Sequence, residues 1–295
     1  MSLTASDGVS LAVRRYTEID PQRPTILAIH GWPDNHHIWD AVAEEFAQRY
    51  PGRYNIVGYD VRGAGESSRP PTRSGYKFPQ LVSDIGTVID SLGAGQVHLL
   101  AHDWGSIQAW AAVTDESAMG KVASFTSISG PHLQYAGAFL RSARNFRTAA
   151  QVAGQLLAST YIAFFLCPGL PELGFRSRLL VKLVAAFERI GARGRRRATP
   201  RSIGDYLNGL NLYRANMLSS LLSREELPKT NVASQVLVPH RDIFVTPALQ
   251  RFTGAIPAGG RVIGIEGGHW VVTSHPEVIA RLTDEWIDQH TGGSP

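Results

Sequence analysis

Short apolar runs alternate with stretches of helical spacing along most of this chain, and that alternation narrows the fold more than any other feature. The runs are "PTILAIHG" (24–31), "YNIVGYD" (54–60), "QVHLLAHD" (96–103), "VASFTSISG" (122–130), "ASQVLVPH" (233–240) and "GRVIGIEGG" (260–268). Each is apolar on successive residues, as a strand covered on both faces requires. Between them, "HHIWDAVAEEFAQRY" (36–50) spaces Ile38, Val42, Phe46 and Tyr50 one helical turn apart. "FPQLVSDIGTVIDSLG" (78–93) stops at Gly93, and "SIQAWAAV" (106–113) follows the third run. A closing helix over 275–290 has Pro276 suited to its first turn and Val278, Leu282 and Trp286 as its buried stripe. This rhythm predicts an α/β fold, a mostly parallel sheet wrapped by helices. An opening antiparallel strand is expected in "DGVSLAVRRY" (7–16).

The rhythm breaks between 131 and 230, where only helical patterns occur. The expected organisation is therefore a core of residues 1–130 and 231–295, interrupted by a helical lid over 131–230. That insert carries 15 Lys and Arg against 5 Asp and Glu, whereas the rest carries 14 against 20. Part of the excess lies in the run 189–201. A solvated basic face is the plain expectation; weak contact with an anionic membrane surface, or with a fatty-acid-like substrate, is the sharper one. No motif accompanies the charge that would imply nucleic acid. The uncharged stretch 148–171 is long enough to raise a membrane span. It carries Gln151, Gln155, Ser159 and Thr160 and breaks at Pro168-Gly169, so a buried or site-lining helix is expected instead. The N-terminus lacks the apolar segment of a secretory signal, which predicts a cytoplasmic chain, peripheral to a membrane if the basic face is used. One cysteine, Cys167, excludes an internal disulfide and is expected to be a small buried side chain. No Cys/His cluster has metal-ligand spacing, so no metal is predicted.

A parallel sheet binds its ligand at the C-terminal ends of its strands. The loops after Ile29, Tyr59, Ala101 and Val238 should therefore share one edge. The third of them holds "AHDWGS" (101–106), a small–x–nucleophile–x–small turn between strand and helix that exposes its central side chain. That side chain is Asp103, where an esterase would have serine. Ser106, three positions on, is expected only to hydrogen-bond at the helix start. A carboxylate suits displacement at an sp3 carbon, which leaves an ester on the enzyme for water to hydrolyse. Hydrolysis needs a base and an oxyanion hole. His269 in "EGGHW" stands past the last strand, where a loop reaches the same edge. Its orienting acid is expected to be Asp242 in "VPHRDIFVTP", with Asp60 and Glu266 as alternatives. Asp60 suits bracing "DVRGAGESS", and Glu266 precedes His269 too closely to point at it. His36, His37, His98 and His290 are read as structural. The hole would use the backbone N–H groups of Trp104 and Trp32, and Pro33 leaves a cis bond open after Trp32.

With "HGWPDN" (30–35), "GYDVRGAGESS" (58–68), "AHDWGS", "RDIFVTP" (241–247) and "GGHW" (267–270) in view, the chain resembles the epoxide hydrolases of the α/β-hydrolase fold. "VASFTSISGP" (122–131) looks most like the hydrolase half of mycobacterial proteins that fuse an epoxide hydrolase to a short-chain dehydrogenase. This sequence ends at Pro295 with no counterpart of the second half within it. The resemblance implies an eight-stranded, mostly parallel sheet with the lid inserted after the sixth strand, and no cofactor. It further implies that two lid tyrosines face the epoxide oxygen, Tyr161 in "TYIAFFLCPG" (160–169) and Tyr213 in "NLYRAN" (211–216). The family often has Gln and Glu where this chain has Leu166 and Cys167. The expected partners are water and a small hydrophobic epoxide, or a lipid epoxide; oligomeric state is not legible. Two other readings stay open: a haloalkane-type dehalogenase with the same Asp–His–Asp set, and a non-catalytic ligand-binding member of the fold.

Overall fold

The computed structural model describes residues 1–192 and 198–290. Eight strands make one sheet: β1 (Ser2–Thr4), β2 (Ser10–Arg15), β3 (Thr25–Ile29), β4 (Asn55–Tyr59), β5 (Val97–His102), β6 (Val122–Ile128), β7 (Ala233–Pro239) and β8 (Arg261–Ile265). Their spatial order is β1-β2-β4-β3-β5-β6-β7-β8. β1 pairs with β2 and β2 with β4 in antiparallel fashion, and every other pairing is parallel. The pattern in the sequence anticipates all of them except β1, whose three residues are too few to show a period.

Helices α1 (Asp40–Arg49), α2 (Phe78–Ser91), α3 (Trp104–Val113) and α4 (Glu116–Met119) fall among the first six strands. Between β6 and β7 come α5 (Leu133–Leu140), α6 (Phe146–Ala158), α7 (Thr160–Leu166), α8 (Leu170–Arg176), α9 (Leu179–Phe187) and α10 (Ile203–Leu222). The chain closes with α11 (Pro247–Gly254), α12 (Val271–Ser274) and α13 (Pro276–Asp288). Every residue of β3, β4 and β5 is buried because both sheet faces are covered. Side chains alternate across a strand, and the core divides accordingly. Leu27 and Ile29 join Leu81, Ile85, Ile107 and Trp110 on the α2–α3 side. Ile26 and Ala28 join Val42, Phe46, Ile279 and Ile287 on the α1–α13 side.

Several expectations need correction. The helix read over 36–50 divides into a 3-10 turn, His36–Trp39, which Asn35 caps by accepting the His37 N–H, and α1. The closing helix expected over 275–290 does form, as α13, with α12 a separate short turn before it. Of the two alternatives for the stretch 148–171, the structure takes the site-lining one, though as two helices rather than one. It forms most of α6 together with α7, broken at Ser159, and only Val152, Gln155 and Phe165 of α6–α7 are buried. These helices roof a cavity on one side and have open surface on the other. Cys167 is exposed rather than buried, since it sits in the turn after α7 with Sγ toward the Ala163 carbonyl at 3.4 Å. Of the basic run 189–201, residues 193–197 lie outside the described residues.

Candidate active site

The turn between β5 and α3 carries Asp103 at φ 51°, a left-handed backbone that costs a non-glycine residue about 1–3 kcal/mol and is held only by its surroundings. Hydrogen bonding from Asp103 N–H to the Ile128 carbonyl at 2.9 Å and from Ile107 N–H to the Asp103 carbonyl at 2.9 Å fixes it. Gly105 permits the sharp turn, because a Cβ there would collide with the carbonyls of Ile29 and His30. The side chain is consequently presented at the end of the sheet, 7% exposed. Ser106 does not serve the helix start as expected. Its hydroxyl donates to the Gly130 carbonyl and meets Ser127 Oγ, both at 2.7 Å, and so ties α3 to the end of β6.

Of the loops expected to converge, those after β3, β5 and β7 meet at Asp103, together with the loop after β8 that carries His269. Trp32 N–H donates to Asp103 Oδ2 at 2.8 Å, and the Trp104 N–H also hydrogen-bonds the carboxylate. The Trp32–Pro33 bond is cis. His269 Nε2 stands 3.7 Å from Asp103 Oδ1, while its Nδ1 lies 3.1 Å from both oxygens of Asp242. Asp242 is further held by the N–H groups of Phe244 and Val245 at 2.9 and 3.0 Å and by Gln250 Nε2 at 3.1 Å.

Burial raises the Asp103 carboxyl to about 6 against the opposing pull of His269 and the two N–H groups. For His269, burial works toward the neutral ring, but Asp242 and then Asp103 outweigh it and lift the imidazole to about 8. Asp242 is lowered: the His269 charge and hydrogen bond, with the N–H groups of Val245 and Phe244, overcome its desolvation. The set is a buried imidazole between two carboxylates, one firmly ionised and one poised near neutrality.

The alternatives for the acid lie elsewhere. Asp60 accepts from the His36 N–H and the Glu66 N–H at 2.8 and 2.9 Å and braces its loop. Glu266 is exposed beside His240. The histidines read as structural are hydrogen-bonded apart from the site: His36 to Asp60, His37 to Asp40, His98 to Ser124 and His290 to the Trp286 carbonyl.

Tyr161 of α7 and Tyr213 of α10 hang from the insert over Asp103. Their rings are 6.2 Å apart, their hydroxyls interact, and burial holds both phenols well above the ordinary range, so they are neutral donors. Two apolar cavities share Asp103, Tyr161, Tyr213 and Phe244 in their walls. One, of about 110 Å³, runs under α9 past Leu180, Val184 and Phe187. The other, of about 260 Å³, runs under α6 past Leu133, Leu156 and Leu218.

Some residues of the site carry no signal in the sequence. Phe244 lies inside "RDIFVTP", yet only the fold sets its ring 5.1 Å from His269 and 5.4 Å from Tyr161. His102 Nε2 lies 2.8 Å from the His269 carbonyl, and burial lowers this imidazole to about 4, so it is neutral and donates. Gln155, the buried polar residue of α6, donates to the Phe244 carbonyl at 2.9 Å and accepts the Thr246 N–H at 2.8 Å, which fastens the insert to the Asp242 loop.

A sheet of this order, with an acidic elbow, a histidine and an acid at one edge, defines an alpha/beta hydrolase, and the chain belongs to that fold family, whose model matches residues 24–289. Among curated proteins it is similar to the "Probable oxidoreductase EphD" of Mycobacterium tuberculosis, 34% identical over 98% of this chain and 49% of that protein. The chain thus spans about half the length of these first relatives. It is also similar to "Epoxide hydrolase 4" of Homo sapiens, 26% identical over 91% of this chain and 74% of that one. Among solved structures, an epoxide hydrolase variant from Bacillus megaterium, complexed with a naphthyloxy-propanediol product, aligns with a TM-score of 0.76 at 22% identity, covering 98% and 100% of the two chains. An epoxide hydrolase from Vigna radiata aligns at 0.71 and 24%, covering 98% and 97%.

Proposed function

We propose that the protein is an epoxide hydrolase acting on hydrophobic epoxides. The observation that carries this reading is a carboxylate at the elbow faced by two neutral phenols from the opposite wall, in a cavity otherwise apolar. Asp103 Oδ1, the oxygen turned toward His269, attacks one epoxide carbon in line with the C–O bond. Tyr161 and Tyr213 donate to the ring oxygen as charge develops there and supply its proton. Oδ2, held by the Trp32 and Trp104 N–H groups, becomes the carbonyl oxygen of the resulting ester.

His269 then takes a proton from water, which adds to the ester carbon. The two N–H groups hold the oxyanion and Asp242 stabilises the imidazolium. Collapse breaks the ester C–O bond, the leaving oxygen takes the proton held by His269 to complete the vicinal diol, and the proton left on Asp103 returns to the tyrosinate, which restores the carboxylate. The 3.7 Å between His269 and Asp103 suits this division of labour: a carboxylate nucleophile needs no deprotonation, so the histidine acts on water rather than on its neighbour.

The two cavities on either side of Asp103 support an epoxide bearing apolar substituents on both carbons, a mid-chain lipid epoxide included. A dehalogenase would need indole N–H donors free for halide. Here Trp32 Nε1 donates to the Tyr206 carbonyl at 3.0 Å and Trp104 is engaged with Tyr213. Asp103→Ala should abolish turnover. His269→Gln should accumulate the ester, seen as a mass increase on the intact protein equal to one substrate. Normal turnover by Asp103→Ala, or halide release without diol formation, overturns the proposal.

A further inference from the structure

Among the described residues, twelve large apolar side chains are exposed, and ten of them lie between Phe146 and Leu222 in the helical insert. The most continuous part of this surface is α8–α9. Helix α9, LLVKLVAAF, has eight apolar residues of nine and no buried one. An apolar helix in a folded chain ordinarily buries a stripe. Here Leu180, Val184 and Phe187 turn inward and line the smaller cavity. One helical face away, Leu179 is 67% and Leu183 46% exposed, and Leu170, Leu173 and Ile190 extend the patch at 60%, 66% and 41%.

Charge says what this patch meets. Arg176, Arg178, Lys182 and Arg189 are exposed within it and form no salt bridge among the described residues. The acids of the segment are drawn away: Glu172 pairs with Arg214 and the buried Glu188 with Arg201. Leucines interleaved with unpaired cations are the composition of a helix lying in the headgroup layer of an anionic bilayer. A second copy of the chain fits less well, because a two-fold contact places like cations against each other.

We propose that α8–α9 is an interfacial element that seats the protein on anionic phospholipid, with Leu173, Leu179 and Leu183 in the acyl boundary and the four cations among the headgroups. Leu183 both faces outward and lines the smaller cavity, so docking sets the mouth of that cavity against the lipid phase. A water-insoluble substrate then enters from the bilayer. Docking itself does not depend on the epoxide hydrolase reading, and only the entry route rests on it.

Vesicle flotation of the full chain tests docking without any turnover. Vesicles of phosphatidylcholine with phosphatidylglycerol should carry the protein upward, and vesicles of phosphatidylcholine alone should carry about tenfold less. Binding should fall as salt rises. The Leu173→Glu/Leu179→Glu variant, whose changed positions lie outside the cavity walls, should lose about tenfold or more of the binding while keeping the wild-type melting temperature. Arg176→Glu/Lys182→Glu should lose binding to the anionic vesicles to the same degree. No flotation with either vesicle overturns the proposal, as does unchanged flotation of both variants. A wild-type dimer that the leucine variant converts to monomer, with no vesicle binding by either, assigns the patch to self-association instead.

Discussion

The charge on Asp103, 3.7 Å away, adds to the larger pull of Asp242 in raising His269. Asp103 reacts as the carboxylate, and burial puts its titration at about 6. The alkylation half of the reaction should therefore rise with pH through about 6 and then level. His269 is lifted to about 8 partly by the Asp103 charge. Esterification removes that charge, so the imidazole falls below 8 in the intermediate and becomes the neutral base that hydrolysis needs. Rapid-quench single turnovers that follow ester formation and decay separately should show hydrolysis rising with pH to a midpoint below about 8; a midpoint at or above it contradicts the coupling. Asp242→Asn removes the main group raising His269 and should slow ester decay by about 10²–10⁴-fold, with formation much less affected. Asp103, His269 and Asp242 were legible because each stands in a loop whose glycines or strand-end position declares it. Phe244, His102 and Gln250 were not, since their roles arise from neighbours 25 or more positions away or on a helix whose pattern shows only its own packing. Cys167 failed for a related reason: residue type alone predicts burial, and its place in an exposed turn overrides it.

Helix α10 acts on the site through Trp32, whose indole packs 5.6 Å from the Tyr213 ring. Gly209 of α10 leaves room for that indole, for a Cβ there would meet its Cδ1. Gly209→Ala gains about 0.5–1 kcal/mol in helix preference but forces overpacking at a cost of about 1–3 kcal/mol. The net change should be destabilising, read by urea unfolding, and kcat should fall because the Trp32 N–H leaves Asp103. A second junction is ionic. Arg201, just before α10, holds buried Asp34 of the loop after β3 and Glu188 beside α9, while Trp270 Nε1 donates to Asp34 at 3.0 Å. Burial alone would raise the Asp34 carboxyl, but Arg201 outweighs it and keeps it ionised. Arg201→Met leaves the buried Asp34 carboxylate without its cation and should cost about 3–5 kcal/mol in equilibrium unfolding. The sequence showed that 131–230 is helical, but α6 and α7 read as one helix, with burial and site lining both open. Apolar composition does not distinguish a helix packed in a core from one that roofs a cavity.

At the scale of the whole molecule, the sheet delivers four loops to one edge, after β3, β5, β7 and β8, and the insert closes over them, so the substrate space is divided by the very residues proposed to react. The alternation of apolar runs was enough to place that edge, because parallel strands buried on both faces leave a nearly continuous apolar trace. The space above the edge was not legible, because its shape depends on how α6, α7, α9 and α10 pack rather than on any one segment. Its division makes a specificity prediction. Val184 lines only the smaller cavity, of about 110 Å³, and Trp at that position would fill much of it. Epoxides with an alkyl chain on each carbon should then lose the apolar contact of one arm. At about 0.8 kcal/mol per buried methylene, displacing two or three of them lowers kcat/KM by about tenfold or more. A terminal epoxide of similar total length, whose single chain runs into the larger cavity, should change by no more than about twofold, because the wall beside Leu133 and Leu218 is untouched. Steady-state kinetics on a matched pair of terminal and internal epoxides reads the difference directly. An equal loss for both would mean that the two cavities do not serve the two arms of one substrate, and that Val184→Trp acts by displacing Tyr161 or Phe244 from the wall the cavities share.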